Sequence, residues 1–130
     1  VSADSFLTNP QLHHEVFGPF SLMVLCQDFE QMVSVAESLD GQLTATVHAT
    51  KVEFPLAHQL TEVLVEKAGR IIFNGVPTGV EVSVAMTHGG PYPASTDSRF
   101  TAVGHSAIRR WLRPVTYQNF PGELLPDELR

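Results

Sequence analysis

Chemistry-bearing side chains are sparse in this chain, and the first cluster of them is His13-His14-Glu15. Imidazoles and a carboxylate are zinc ligands. Adjacent residues on an extended chain point to opposite sides, however, and the triplet lacks the i, i+4 histidine pair of an H-E-x-x-H helix. It therefore reads as solvated surface, with no metal. His48, His58, His88 and His105 are scattered and read as ordinary packed or exposed residues. Cys26 lies inside the apolar run FSLMVLC with no base in local view, so it reads as a small buried hydrophobe and not as a nucleophile. His88-Gly89-Gly90 mimics an oxyanion loop, and Gly104-His105-Ser106-Ala107 begins like a nucleophile elbow. The elbow needs a second glycine where Ile108 stands, and a strand directly before it. Both requirements fail, and with no G-x-G-x-x-G or P-loop the sequence carries no phosphate cradle of its own.

Composition narrows the setting. Of 130 residues, 43% are hydrophobic and 17% charged, against roughly 25% charged in an ordinary soluble domain. Part of the surface is therefore expected to dock on further protein. The formal charge of −6, from 14 acids and 8 bases with no basic cluster beyond Arg109-Arg110, argues against nucleic acid. A single cysteine rules out an internal disulfide and points to a reducing, cytoplasmic setting. The opening VSADSFLTNP has neither a basic nor an apolar leader region, and no apolar run approaches the ~18 residues of a membrane span. No membrane partner is expected. The missing initiator Met fits a chain that begins within something longer.

The elements that must position any site follow from hydrophobic patterning. Residues 20–26 are nearly continuous apolar, as in a strand covered on both faces. Asp28 offers an N-cap with Gln31 as the reciprocal half of a capping box, ahead of Phe29, Met32, Val33 and Ala36 at helical spacing. That helix should run from about 29 to 39, with Gly41 as a left-handed C-terminal cap. Residues 43–49 alternate as a second strand. Pro55 opens a second helix with Leu56, Leu60, Val63 and Leu64 on one face and Gly69 closing it. Residues 70–73 form a third strand. Strand, helix, strand, helix, strand calls for a parallel sheet, so the fold class is α/β.

Between Asn74 and Thr96 the only charged residue is Glu81, and seven glycines and prolines prevent any long element. A loop leaving the carboxyl end of a parallel strand is well placed to line a pocket. Val103, Ala107, Ile108, Trp111 and Leu112 then predict a helix ended by Pro114. Residues 115–120 read as a late strand without a partner in this chain, an edge able to pair with another subunit. The tail GELLPDELR is acidic.

Taken together, Glu15-Val16-Phe17-Gly18-Pro19, the Gly69-Arg70-Ile71-Ile72-Phe73-Asn74 strand and the His88-Gly89-Gly90 turn carry a further signal. Their order and spacing resemble the Glu-hydrophobic-Phe-Gly-Pro motif, the Gly-x-hydrophobic-x-hydrophobic-Asn strand and the Phe-Gly-Gly turn of the aldehyde dehydrogenase superfamily. Where the family commonly continues Gly-Gly-x-Lys-x-Ser-Gly, this chain has Gly89-Gly90-Pro91-Tyr92-Pro93-Ala94-Ser95. That wording, with Arg109-Arg110-Trp111-Leu112-Arg113-Pro114-Val115 after it, looks like the branch that oxidises α-ketoglutaric semialdehyde with NADP.

The resemblance implies the carboxyl-terminal part of the catalytic domain over residues 1–114, and an oligomerisation strand with an acidic tail over 115–130. It implies NADP or NAD as cofactor, held mainly by the remainder of the enzyme, a small aldehyde substrate, and homo-oligomers through 115–120. Glu15 would accept hydrogen bonds from the two hydroxyls of the nicotinamide ribose, since a carboxylate offers two oxygens to two neighbouring donors. Phe17 would pack by the nicotinamide, and Gly18-Pro19 would turn the chain from that contact into the strand. Val76, Pro77, Thr78 and Val80 would shape the aldehyde pocket. The nucleophilic Cys, the oxyanion-hole Asn and the general base would lie upstream, so no catalytic residue falls in this chain and alone it should be inactive. A second reading from a different class is a non-catalytic α/β binding or assembly module that associates through residues 115–120.

Overall fold

Two short strands, β1 (Ala45–Val47) and β2 (Ile71–Phe73), run parallel, pairing Ala45 with Ile71, Thr46 with Ile72 and Val47 with Phe73. The computed structural model that shows this describes residues 1–79 and 81–130. An isolated parallel bridge from Gln42 to Ala68 extends the pair towards its amino-terminal end. Between the strands lies α3 (Phe54–Leu64), entered through a 3-10 turn at Lys51–Glu53. Parallel strands need such a crossover. Ahead of β1 lies α2 (Phe29–Ser38), and the chain opens with α1 (Ala3–Thr8) and a 3-10 turn at Pro10–His13. The α/β class read from the sequence holds, in a sheet of only two strands among the described residues.

Ala36 of α2, Val47 of β1 and Leu64 of α3 form the buried core, with Ala45, Ala49, Ala57, Leu60, Val63 and Ile71 partly buried against it. Leu56, expected on that face, is exposed. Asp28 caps α2 as expected, accepting the Gln31 N–H at 2.8 Å. The returning Gln31 side chain accepts not from the cap residue but from the N–H of Gln27, and its amide donates to Asp4, tying α2 to α1.

Gly41 corrects the expectation of a left-handed cap, because its φ is not positive, and neither is that of Gly69. Their role is close approach. A methyl group on Gly41 would overlap the carbonyl of Pro91, one on Gly69 the carbonyl of Gly89, and one on Gly90 the carbonyl of Gln42. The 89–92 segment thus crosses the entrances of both strands at backbone contact, held by the Gly41 N–H donating to Tyr92 O at 3.2 Å, while the Gly69 N–H donates to Gln42 O at 3.2 Å and ties the two entrances to each other. Glycine serves there because only a residue without Cβ lets two backbones meet. The Tyr92-Pro93 peptide in this segment is cis.

Three expected elements do not form as ladders or long helices. Residues 20–26 make a single bridge, Ser2 with Leu25, in which Val1 O accepts from Leu25 N–H and Leu25 O accepts from Ala3 N–H. Leu22, Val24 and Cys26 are half-buried while Met23 and Leu25 stand exposed, so one face is covered where two were expected. Over 103–112 only a 3-10 turn at Ala107–Trp111 is present, after Gly104 at φ +90, and Trp111 is 78% exposed. Residues 115–120 form no strand, and Val115, Tyr117 and Phe120 are exposed.

These misses share a physical cause. An apolar strand or stripe becomes regular when a neighbour covers it, and most helical stability comes from tertiary packing. The accessible surface shows how much is uncovered: 9981 Å² for a 14.3 kDa chain, against about 6,800 Å² for a compact monomer of that mass. Roughly 3,000 Å² is therefore in excess of what such a chain exposes when it folds alone.

Candidate functional site

The Glu15-Phe17 stretch is presented by the turn before it. Asn9 caps the Pro10–His13 turn, and His13 stacks on Phe6 at 4.1 Å between ring centroids. Its Nε2 lies 3.0 Å from the Phe6 carbonyl, and because a carbonyl only accepts, that nitrogen carries the proton. His13 is therefore a structural pin that is half-buried, and not the solvated residue expected. At His14 the backbone is extended, and Gly18 at φ +153 with Pro19 turns the chain, the Phe20 N–H donating to Gly18 O at 2.8 Å.

Glu15 makes no hydrogen bond or ion pair among the described residues, and Phe17 is 91% exposed. One cleft of about 380 Å³ holds Glu15 and Phe17 with Leu12, His14, Phe20 and Leu22. A second, of about 680 Å³, sets His14 and Glu15 opposite Gly41, Gln42, Pro93 and Ala94. Glu15 belongs to both. Neither cleft is lined by Lys or Arg. A free carboxylate and a bare aromatic ring without a cation suit a neutral diol and a flat heterocycle, and they do not suit a phosphate.

Val76 and Pro77 wall a third cleft of about 440 Å³ beside Arg70, Ile71, Ile72 and Met86. Thr78 lines none of these three clefts, and Val80 lies outside the described residues. The cofactor-side and substrate-side candidates thus line separate clefts. Among the described residues no group of three His, Cys, Asp or Glu side chains could hold a metal ion. Cys26 is free and half-buried.

No protein-family model matches the chain. Over all 130 residues, however, it is 53% identical to alpha-ketoglutaric semialdehyde dehydrogenase 2 of Azospirillum brasilense, covering 25% of that protein. Over 122 residues, 94% of the chain, it is 55% identical to alpha-ketoglutaric semialdehyde dehydrogenase of Acinetobacter baylyi, covering 23% of it. The resemblance to the aldehyde dehydrogenases holds. The chain spans about a quarter of the length of these curated relatives. The compared region spans the whole chain, the Glu15-Phe17 stretch, the β2 strand and the His88-Gly89-Gly90 crossing included.

Two residues at this site were read only as members of the strand motif and were given no contact of their own. Asn74, left-handed at φ +48, closes its side-chain amide on both peptide groups of Ala49: Oδ1 accepts from Ala49 N–H and Nδ2 donates to Ala49 O, each at 2.9 Å. Arg70 donates from Nη1 to the Gly79 carbonyl at 2.6 Å. An Asn-Gly pair at a strand end was the available signal for the first, since Asn tolerates the left-handed region. Nothing in the sequence marked the second. Thr101 is also buried, its hydroxyl accepting from His88 N–H and donating to Val103 O.

Proposed function

We propose that this chain is the carboxyl-terminal part of an aldehyde dehydrogenase that oxidises an aldehyde, α-ketoglutaric semialdehyde, to the carboxylate with NADP or NAD. The observation that supports the reading most strongly is whole-chain identity above one half to proteins named for that oxidation. The roughly 3,000 Å² of excess surface fits a piece completed by the rest of such an enzyme.

Bound nicotinamide would supply the hydride acceptor. Glu15 would hold the ribose by accepting from its two hydroxyls, and Phe17 would limit the ring to one pose. Val76 and Pro77 would wall the aldehyde pocket, with Thr78 and Val80 in the same loop. The thiolate that attacks the carbonyl, the oxyanion donors and the base that activates water against the thioester would come from the remainder of the enzyme. Exposed Val115, Tyr117 and Phe120 would join a second subunit, and the reading places the enzyme in the cytoplasm. No helix among the described residues is long and apolar enough to cross a membrane.

The test compares the isolated 130-residue chain with the full-length protein containing it, each given α-ketoglutaric semialdehyde with NADP and with NAD. Turnover by the full-length protein alone is expected. Turnover by the isolated chain would contradict the assignment of the chemical groups to the remainder. No turnover by either would leave the non-catalytic module as the better account.

A further inference from the structure

We infer that Arg70 and Asn74 form a clasp that fixes the loop at residues 75–79 from both ends, making them positioning residues for the aldehyde pocket; the inference rests on the dehydrogenase reading above. Asn74 anchors the loop where it leaves β2. Its backbone N–H donates to Val47 O at 2.9 Å, continuing the ladder, while its side chain grips the next peptide groups of the β1 chain at Ala49. At the other end the loop returns to the strand it left, where Arg70 Nη1 takes the Gly79 carbonyl at 2.6 Å and lies 3.8 Å from Met86 Sδ. Between the anchors the Thr78 N–H donates to Val76 O at 2.8 Å, rounding the turn over Pro77.

The chemistry of each anchor is specific. Asparagine combines tolerance of φ +48 with a donor and an acceptor on one planar group, which lets it pair with an N–H and a C=O together. Glycine would keep the backbone and lose the grip. Arg70 pairs with no carboxylate among the described residues, and its Nε is buried without a partner. Its hydrogen bond to oxygen is directed at the loop, and a charge-assisted bond to a carbonyl is stronger than a neutral one. Because Val76 and Pro77 share their cleft with Arg70, Ile71 and Ile72, releasing either anchor would enlarge or deform that cleft. Glu15 lies in other clefts and would be unaffected.

The experiment uses the full-length dehydrogenase and steady-state kinetics with α-ketoglutaric semialdehyde. Asn74→Gly and Arg70→Met are each expected to raise the aldehyde KM roughly tenfold, since small misplacements of positioning groups have large effects. The cofactor KM should stay within about twofold because that site is separate. Arg70→Lys, which keeps a cation able to donate to the Gly79 carbonyl, should recover most of the loss. The double variant should lose about as much as the more impaired single variant, as expected of two anchors acting on one loop. An unchanged aldehyde KM in either folded variant would overturn the clasp, as would equal rises in both KM values. Should Asn74→Gly fail to fold, Arg70→Met decides alone. A wild-type enzyme without aldehyde turnover would remove the dehydrogenase reading itself, and the clasp's role with it.

Discussion

The α-carbon of Gly69 faces the Gly89 carbonyl at a separation that leaves no room for a methyl group. Gly69 opens β2 and Gly89 belongs to the crossing segment, so this contact sets how the HGGP segment lies over the sheet. Gly69→Ala in the full-length protein is expected to cost on the order of 3 kcal/mol, as overpacking against backbone cannot relax by a rotamer change. Gly122→Ala is the control, since a Cβ there meets nothing within 4 Å. A thermal midpoint lowered by the first and not the second is the expected result. Equal midpoints would show that the crossing can shift aside.

The α2 cap gives a second stability prediction. Asp28 accepts the Gln31 N–H at 2.8 Å, so Asp28→Ala should lose about 1 kcal/mol. Denaturant unfolding of the full-length protein checks it. Asp28→Asn, which keeps the acceptor, should stay near wild type, and an equal loss in both variants would assign the effect to charge instead of capping.

What the sequence made legible follows from what each element needs. α2, α3, β1 and β2 pack on one another around Ala36, Val47 and Leu64, so their periodicity, the Asp28 cap and the Pro55 start sufficed to read them. Residues 20–26, 103–112 and 115–120 are as apolar, yet among the described residues little covers them. Gly41 was misread because a glycine needed for close approach looks, in sequence, like one needed for a left-handed turn. Glu15 and Phe17 were singled out through a family motif, while the Arg70 contact to Gly79 depends on a loop return that no periodicity encodes.

Asp97 carries the clearest shift in acidity. Arg99 donates to it from Nε, Nη2 and its backbone N–H at 2.9, 2.7 and 3.0 Å, and these bonds hold the carboxyl at about 2, below its ordinary 3.8. With the folded value depressed, any stability from this pair is present above the unfolded value and lost as pH falls from about 3.8 through about 2. Asp97 is half-buried at the surface and Arg99 is exposed, so the effect on stability is small and salt-sensitive. NMR titration of the labelled carboxyl should show Arg99→Ala moving the midpoint up towards 3.8. A midpoint unmoved by that substitution would assign the depression to another cause.

The most direct measurement is the single-turnover rate of NAD(P)H formation by the full-length protein, wild type against Glu15→Gln, with cofactor saturating. Glu15 has both oxygens free beside the exposed Phe17 ring, and the amide keeps one acceptor while losing the charge. The account predicts that Glu15→Gln slows hydride transfer roughly tenfold through misplacement of the nicotinamide, while hydrolysis of the acyl-enzyme changes much less. A hydride step equal in the two proteins would contradict the placing of the cofactor at Glu15.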